Sequence, residues 1–149
     1  KLDDPLPESD FSVGKAILSP TRTYAPVIYK LMEEHPGLIQ GLIHCSGGAQ
    51  TKCLKFANNV HFIKDKLFPT PPIFKAIQSA SNTPWKEMYK VFNMGHRMEV
   101  YCLAEHAHSV IEAASHFKID AQIIGHTESS SDGNKLTLSH KDELFEYRP

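Results

Sequence analysis

At 149 residues the chain is long enough for one domain with a sizeable core. Its 41% hydrophobic and 22% charged residues are the balance of an ordinary globular protein and exclude disorder for most of its length. Sixteen basic residues against seventeen acids leave a net charge of -1 with no basic run, so nothing draws the chain to nucleic acid or to an anionic membrane surface.

Residues 1–12 carry Pro5, Pro7 and several acids, and read as a linker or tail. Val13–Leu18 has the pattern of a helical turn. Ser19-Pro20-Thr21 is a stop and restart, with Ser19 or Thr21 placed to cap the next helix. Tyr24, Val27, Ile28, Leu31 and Met32 fall at helical spacing and predict an amphipathic helix over 23–34, with Pro26 in its first turn. His35-Pro36-Gly37 ends that helix. Leu38–His44 then reads as a buried strand running into Gly47-Gly48. Val60–Lys64 is a shorter, alternating strand.

Pro72 opens a helix with Ile73, Phe74 and Ile77 on its apolar face. Thr83 is placed to cap a helix from Pro84 to about Phe92. Arg97–Leu103 reads as a strand and Glu105–Phe117 as a helix. Ala121–Ile124 and Lys135–Leu138 read as strands joined by the polar hairpin loop Ser129–Asn134. The last ten residues read as a frayed or strand-like end. This order predicts an α+β fold: a sandwich with a mixed, mostly antiparallel sheet.

Cys45, Cys53 and Cys102 make an odd count without C-x-x-C spacing. That indicates neither a disulfide framework nor a thiolate metal site, and points to a reducing, cytoplasmic location. No apolar stretch is long enough to span a bilayer, and Lys1-Leu2-Asp3-Asp4-Pro5 is no signal-peptide pattern. Opening on Lys1, the chain reads as a piece of something longer. The nine histidines are scattered, and His106 and His108 sit two apart on a helix, so no metal site is expected.

Two segments carry the candidate chemistry. In the first, Gly41-Leu42-Ile43-His44-Cys45-Ser46-Gly47-Gly48, a buried strand ends in paired glycines. Such a turn can present backbone N–H groups to an anion, with the Ser46 hydroxyl beside them, or it can be a plain tight turn. His44 and Ser46, two apart, have the spacing of a base and a nucleophile, but no acid partner is evident. In the second segment, Phe92-Asn93-Met94-Gly95-His96-Arg97-Met98, Asn93 and Gly95 suit a helix C-cap, and the Asn93 amide could instead read a ligand edge. Thr21-Arg22 opens a helix, where Arg22 could grip phosphate. Both glycine segments are expected to face one hollow that holds a sugar phosphate.

Pro20-Thr21-Arg22-Thr23-Tyr24, Gly41–Gly48, Pro72-Ile73-Phe74, Glu87–Gly95 and Ile123-Ile124-Gly125 occur here in an order and spacing that resembles the aminoimidazole ribonucleotide synthetases, also called phosphoribosylformylglycinamidine cyclo-ligases. The resemblance covers roughly residues 13–139 and concerns the C-terminal domain of that two-domain family. It implies a partly ferredoxin-like sandwich over 13–149. It also implies a role in purine biosynthesis: ATP-dependent ring closure of formylglycinamidine ribonucleotide to aminoimidazole ribonucleotide, releasing ADP and phosphate. ATP and Mg2+ would serve the full-length homodimer, and the N-terminal domain that handles them would be the partner of this piece. Ser46, Gly47, Gly48, Thr21, Arg22, Asn93 and Gly95 would line the interdomain cleft, with His44 as a candidate for proton transfer. Without the N-terminal domain the piece is expected to be inactive and to hold neither ATP nor metal.

This chain departs from the family at Ser46-Gly47-Gly48-Ala49, where Thr-Gly-Gly-Gly is common. It departs again at His96-Arg97, where small or apolar residues are more usual. Two other readings share the fold: another ATP-using member of the superfamily, such as a selenide dikinase or a hydrogenase-maturation enzyme, which differs at the glycine turn and at the Phe92–Gly95 segment, and a non-catalytic binding or assembly module.

Overall fold

A computed structural model describes residues 1–149. Two sheets organise the chain. Strands β1 (Gly41–His44) and β3 (Met98–Tyr101) form an antiparallel pair. The second sheet has four strands, β2 (Val60–Lys64), β4 (Gly125–Ser129), β5 (Lys135–His140) and β6 (Glu143–Tyr147), in the order β4-β2-β5-β6. β2 runs antiparallel to β4 and parallel to β5, and β5 runs antiparallel to β6. The predicted mixed, mostly antiparallel sandwich is therefore the observed one.

Alternation explains how the faces meet. On β2, Phe62 and Lys64 point inward. Phe62 packs edge-on against Tyr101 of β3, with ring centroids 5.8 Å apart. Ile43, Cys45, Phe62, Leu136 and Leu138 share a core with Met88 and Tyr89 of helix α4 (Trp85–Val91). A second, smaller core joins α2 (Ala25–Glu34) to α5 (Ala107–His116), where Val27 and Leu31 meet Ala113, Ala114 and Leu38. The helical spacing of Val27 and Leu31 thus does what the sequence predicts.

Helix α1 (Val13–Ile17) and helix α3 (Pro72–Ser81) form where read. The caps differ. Ser19 and Thr21 bond no helical amide; Thr23 Oγ1 accepts from Ala25 N at 3.4 Å. Thr83 does not cap α4, because its hydroxyl is taken by Ser81 Oγ at 2.7 Å and Pro84 stands at the cap position.

The C-terminal strands differ more. Ala121–Ile124 is not a strand, and β4 begins at Gly125. β4 and β5 do not form a hairpin, because β2 lies between them. The hairpin is β5–β6, closed at His140↔Glu143 around Lys141, whose φ is +54°. In the first twelve residues, Leu6 is buried at 3% exposure, Leu6 N–H bonds to Phe11 O, and Glu8 pairs with Lys75 of α3.

Candidate functional site

The first glycine segment turns sharply at the end of β1. Ser46 N–H bonds back to His44 O at 2.8 Å, which breaks the strand's alternation. Gly48 takes φ +89° and Ala49 +43°. The chain then enters a 3-10 helix over Ala49–Lys55. The amides of Thr51 and Ala49 close the turn onto Gly48 O and Ser46 O, each at 2.9 Å. The N–H groups of Gly47 and Gly48 donate to no acceptor in the chain. Lys52 reaches back over the turn, its Nζ 2.9 Å from His44 O and 2.8 Å from Ser46 Oγ. Two free amides, a hydroxyl and an ammonium thus share one exposed turn, a donor set that suits phosphate or another anion.

The second segment is held by an Asx turn. Asn93 Oδ1 accepts from Gly95 N at 2.9 Å, and the left-handed residues are Met94 (φ +53°) and Gly95 (φ +94°). The Asn93 amide oxygen is therefore committed to its own loop. The helix C-cap is Phe92 rather than Asn93.

The structure brings the two segments into contact. Gln50, two residues beyond Gly48, donates Nε2 to Asn93 O at 2.9 Å. Cys45 N donates to Arg97 O at 2.8 Å. Beneath them lies a buried polar network. Lys64 and Glu99, both 4% exposed, form an ion pair at 2.5 Å. Lys64 Nζ also donates to Gln50 O at 2.9 Å and Gln50 Oε1 at 3.1 Å. Glu99 receives Tyr101 OH at 2.5 Å and Cys45 Sγ at 3.3 Å. Burial, and next the Glu99 charge, push the Tyr101 hydroxyl and the Cys45 thiol well above their ordinary pKa values. Burial also raises Cys53, to about 11, so neither core thiol is a nucleophile at neutral pH.

Other predicted residues stand apart. Thr21 and Arg22 lie exposed in the extended stretch before α2 and bond to neither turn. His44 is exposed at the end of β1, and Ser46 Oγ meets the His44 carbonyl at 3.4 Å rather than its ring, so the base–nucleophile pair is not formed. A cavity of about 580 Å³ opens beside Gly95–Leu103, walled by α2, α5 and β4. Of the predicted site residues only Gly95 lines it; Ser46, Gly47 and Gly48 do not.

Sequence reasoning missed Lys52, Gln50, Lys64 and Glu99. The last two had a signal. Lys64 is a charge at an inward position of an alternating strand, and Glu99 is one between Met98 and Val100. Such charges persist in a core only when paired.

The fold and the paired turns together define an α+β domain that carries a cluster of hydrogen-bond donors at the end of a buried strand. No family model matches the chain. It is similar over most of its length to phosphoribosylformylglycinamidine cyclo-ligases of several methanogenic archaea. It is 35% identical over 127 residues to that of Methanocaldococcus jannaschii, a stretch covering 84% of this chain and 36% of the relative. It is 30% identical over 143 residues to that of Methanopyrus kandleri, covering 92% and 40%. With that of Methanobrevibacter smithii it shares 33% identity over 138 residues, covering 92% and 39%. The chain thus spans well under half the length of these relatives. They bear out the resemblance drawn from the motifs and relate the chain in sequence to one part of the phosphoribosylformylglycinamidine cyclo-ligases.

Proposed function

We propose that this chain is the C-terminal domain of a phosphoribosylformylglycinamidine cyclo-ligase, and that its share of ATP-dependent ring closure is to hold and orient the ribonucleotide. The observation that carries this reading is the direct join between the two glycine segments, from Gln50 Nε2 to Asn93 O. It makes the Ser46–Gly48 turn and the Asn93–Gly95 turn one rigid unit, and ring closure demands reacting groups held in a fixed geometry.

In this reading the free amides of Gly47 and Gly48, the Ser46 hydroxyl and Lys52 bind the phosphate. Gly95 and the Asn93 side chain shape the neighbouring wall. Thr21, Arg22 and His44, all exposed, face the partner domain and complete the cleft there. Phosphate and ATP fit the donor set of the turn in charge and hydrogen bonding. Magnesium does not fit this chain's own side chains, since no group of three His, Cys, Asp or Glu is placed to hold a metal ion. The reading therefore leaves metal, and with it the catalytic handling of ATP, to the N-terminal domain. The assembled protein is a cytoplasmic homodimer in this reading; no helix of the chain is long and apolar enough to cross a membrane.

A chimera tests it. The matching segment of the Methanocaldococcus jannaschii relative is replaced by this chain, and consumption of formylglycinamidine ribonucleotide is measured with ATP and Mg2+. The expected result is a kcat/KM that falls by about a hundredfold when Lys52→Ala and Ser46→Ala are combined, since each lost hydrogen bond to a bound phosphate costs about 1.5 kcal/mol. A soluble, folded chimera that leaves the substrate untouched overturns the proposal.

A further inference from the structure

A second pocket, of about 390 Å³, lies outside both glycine segments and does not depend on the function proposed for them. It opens where the parallel neighbours β2 and β5 end, at Asp65–Thr70 and Ser139–Lys141. Crevices beyond the carboxyl ends of parallel strands are recurrent ligand positions, because the chain diverges there into loops. Three lysines, Lys66, Lys75 and Lys141, line this one with a single carboxylate, Asp65. In a chain whose net charge is -1, that is a local reversal of sign. Of the three, Lys75 is the one engaged in an ion pair, with Glu8 of the N-terminal segment at 2.5 Å. The rim thus already receives one carboxylate supplied by the chain itself.

The wall is aromatic. Trp85 and Tyr89 line it beside His140. The His140 ring lies 4.6 Å from that of Trp85, and its Nδ1 is bonded to Tyr89 OH at 2.8 Å. Its Nε2 is buried with no partner, an unsatisfied polar atom of the kind that marks functional surroundings. A cation is disfavoured by three ammonium groups against one carboxylate. A bare inorganic anion would leave the flat wall unused, and a neutral ring would leave the lysines unpaired.

We infer that this pocket binds a small aromatic anion, a planar ring bearing one phosphate or carboxylate, with the ring against Trp85 and the acid among Lys66, Lys75 and Lys141. Glu8 competes with the ligand for Lys75.

Trp85 is the single tryptophan, so its emission reports on the pocket directly. The chain is titrated with phenyl phosphate, and separately with inorganic phosphate and phenol, the two halves of that probe. Saturable quenching by phenyl phosphate is expected, about tenfold tighter than by inorganic phosphate and absent with phenol at the same concentrations, since both ring and charge contribute. The exposed lysines are then changed together, Lys66→Gln with Lys141→Gln, which should weaken binding about tenfold through loss of two charge-assisted contacts. Glu8→Gln should tighten it. Unchanged thermal melting shows that each variant is folded. Quenching that never saturates, equal affinity for inorganic phosphate, or indifference to the lysine changes overturns the inference.

Discussion

Single residues decide more here than their exposure suggests. Lys64 and Glu99 are the only charged residues in the buried set, and they pair with each other. Taking both out of water is costly, and the pair repays that only because every remaining donor or acceptor has a partner: Gln50, Tyr101 and Cys45. Its structural consequence is to fix Gln50, the residue that ties the glycine turn to Asn93. Lys64→Met leaves Glu99 charged and uncompensated in the core and should cost about 3–5 kcal/mol in urea unfolding. Adding Glu99→Gln removes the stranded charge while keeping an acceptor for Tyr101 OH, and should restore more than half of the loss. If the single variant unfolds within about 0.5 kcal/mol of the parent, the range of ordinary surface changes, the network does not hold the turns.

At the scale of elements, legibility in the sequence depends on which strands alternate. β2 is read to the residue, since Phe62 and Lys64 face in while His61 and Ile63 face the other way. β4 is not, and the reason is physical. It is an edge strand, its four residues from His126 to Ser129 are exposed, and so no apolar period marks it. The apolar Ala121, Ile123 and Ile124 nearby line the large cavity and imitate a buried strand. The parallel pairing of β2 with β5 joins residues more than seventy positions apart, which no local pattern reveals. The β5–β6 turn lacks the usual glycine, so it too is silent.

Gly125 fixes how closely β4 approaches β2. A Cβ there would stand 1.8 Å from Ile63 O and 2.9 Å from Lys64 Cα, both backbone atoms of the strand it pairs with. Gly125→Ala must therefore push β4 off β2, at a cost of about 3 kcal/mol or more. Gly47→Ala, where nothing lies within 4 Å, should stay within about 0.5 kcal/mol and serves as the control. Comparable melting temperatures for the two variants would contradict the observed register.

For the candidate site the legible part was the pair of glycine segments; what was hidden were the side chains that serve them, because Lys52 and Gln50 act through a turn whose shape only the fold defines.

Across the whole molecule, the histidines set the response to acid. His96, His140 and His61 all have pKa values held below the ordinary imidazole value, in each case first by burial. For His96 the Lys64 charge lowers it further, while Glu99 and the carbonyls of Asn93 and Met94 oppose the shift. Its Nε2 accepts from Phe68 N at 3.0 Å, which keeps the ring neutral with its proton on Nδ1. A neutral histidine in the fold and an ordinary one in the unfolded chain differ in protons bound once the pH drops below about 6.5. The unfolded chain then binds more protons, so stability is fully present above that pH and is lost as the pH falls toward the folded pKa values. Melting temperature should hold steady from pH 8 to about 7 and decline toward pH 5, before most carboxylates begin to protonate. His96→Gln offers Phe68 N–H an uncharged acceptor and should flatten part of that decline without changing the plateau shape. A melting temperature that is constant down to pH 5 would mean that none of these imidazoles is held below its ordinary pKa in the folded chain, and a decline that His96→Gln leaves untouched would mean that the core around the Asn93–Arg97 segment is open to water.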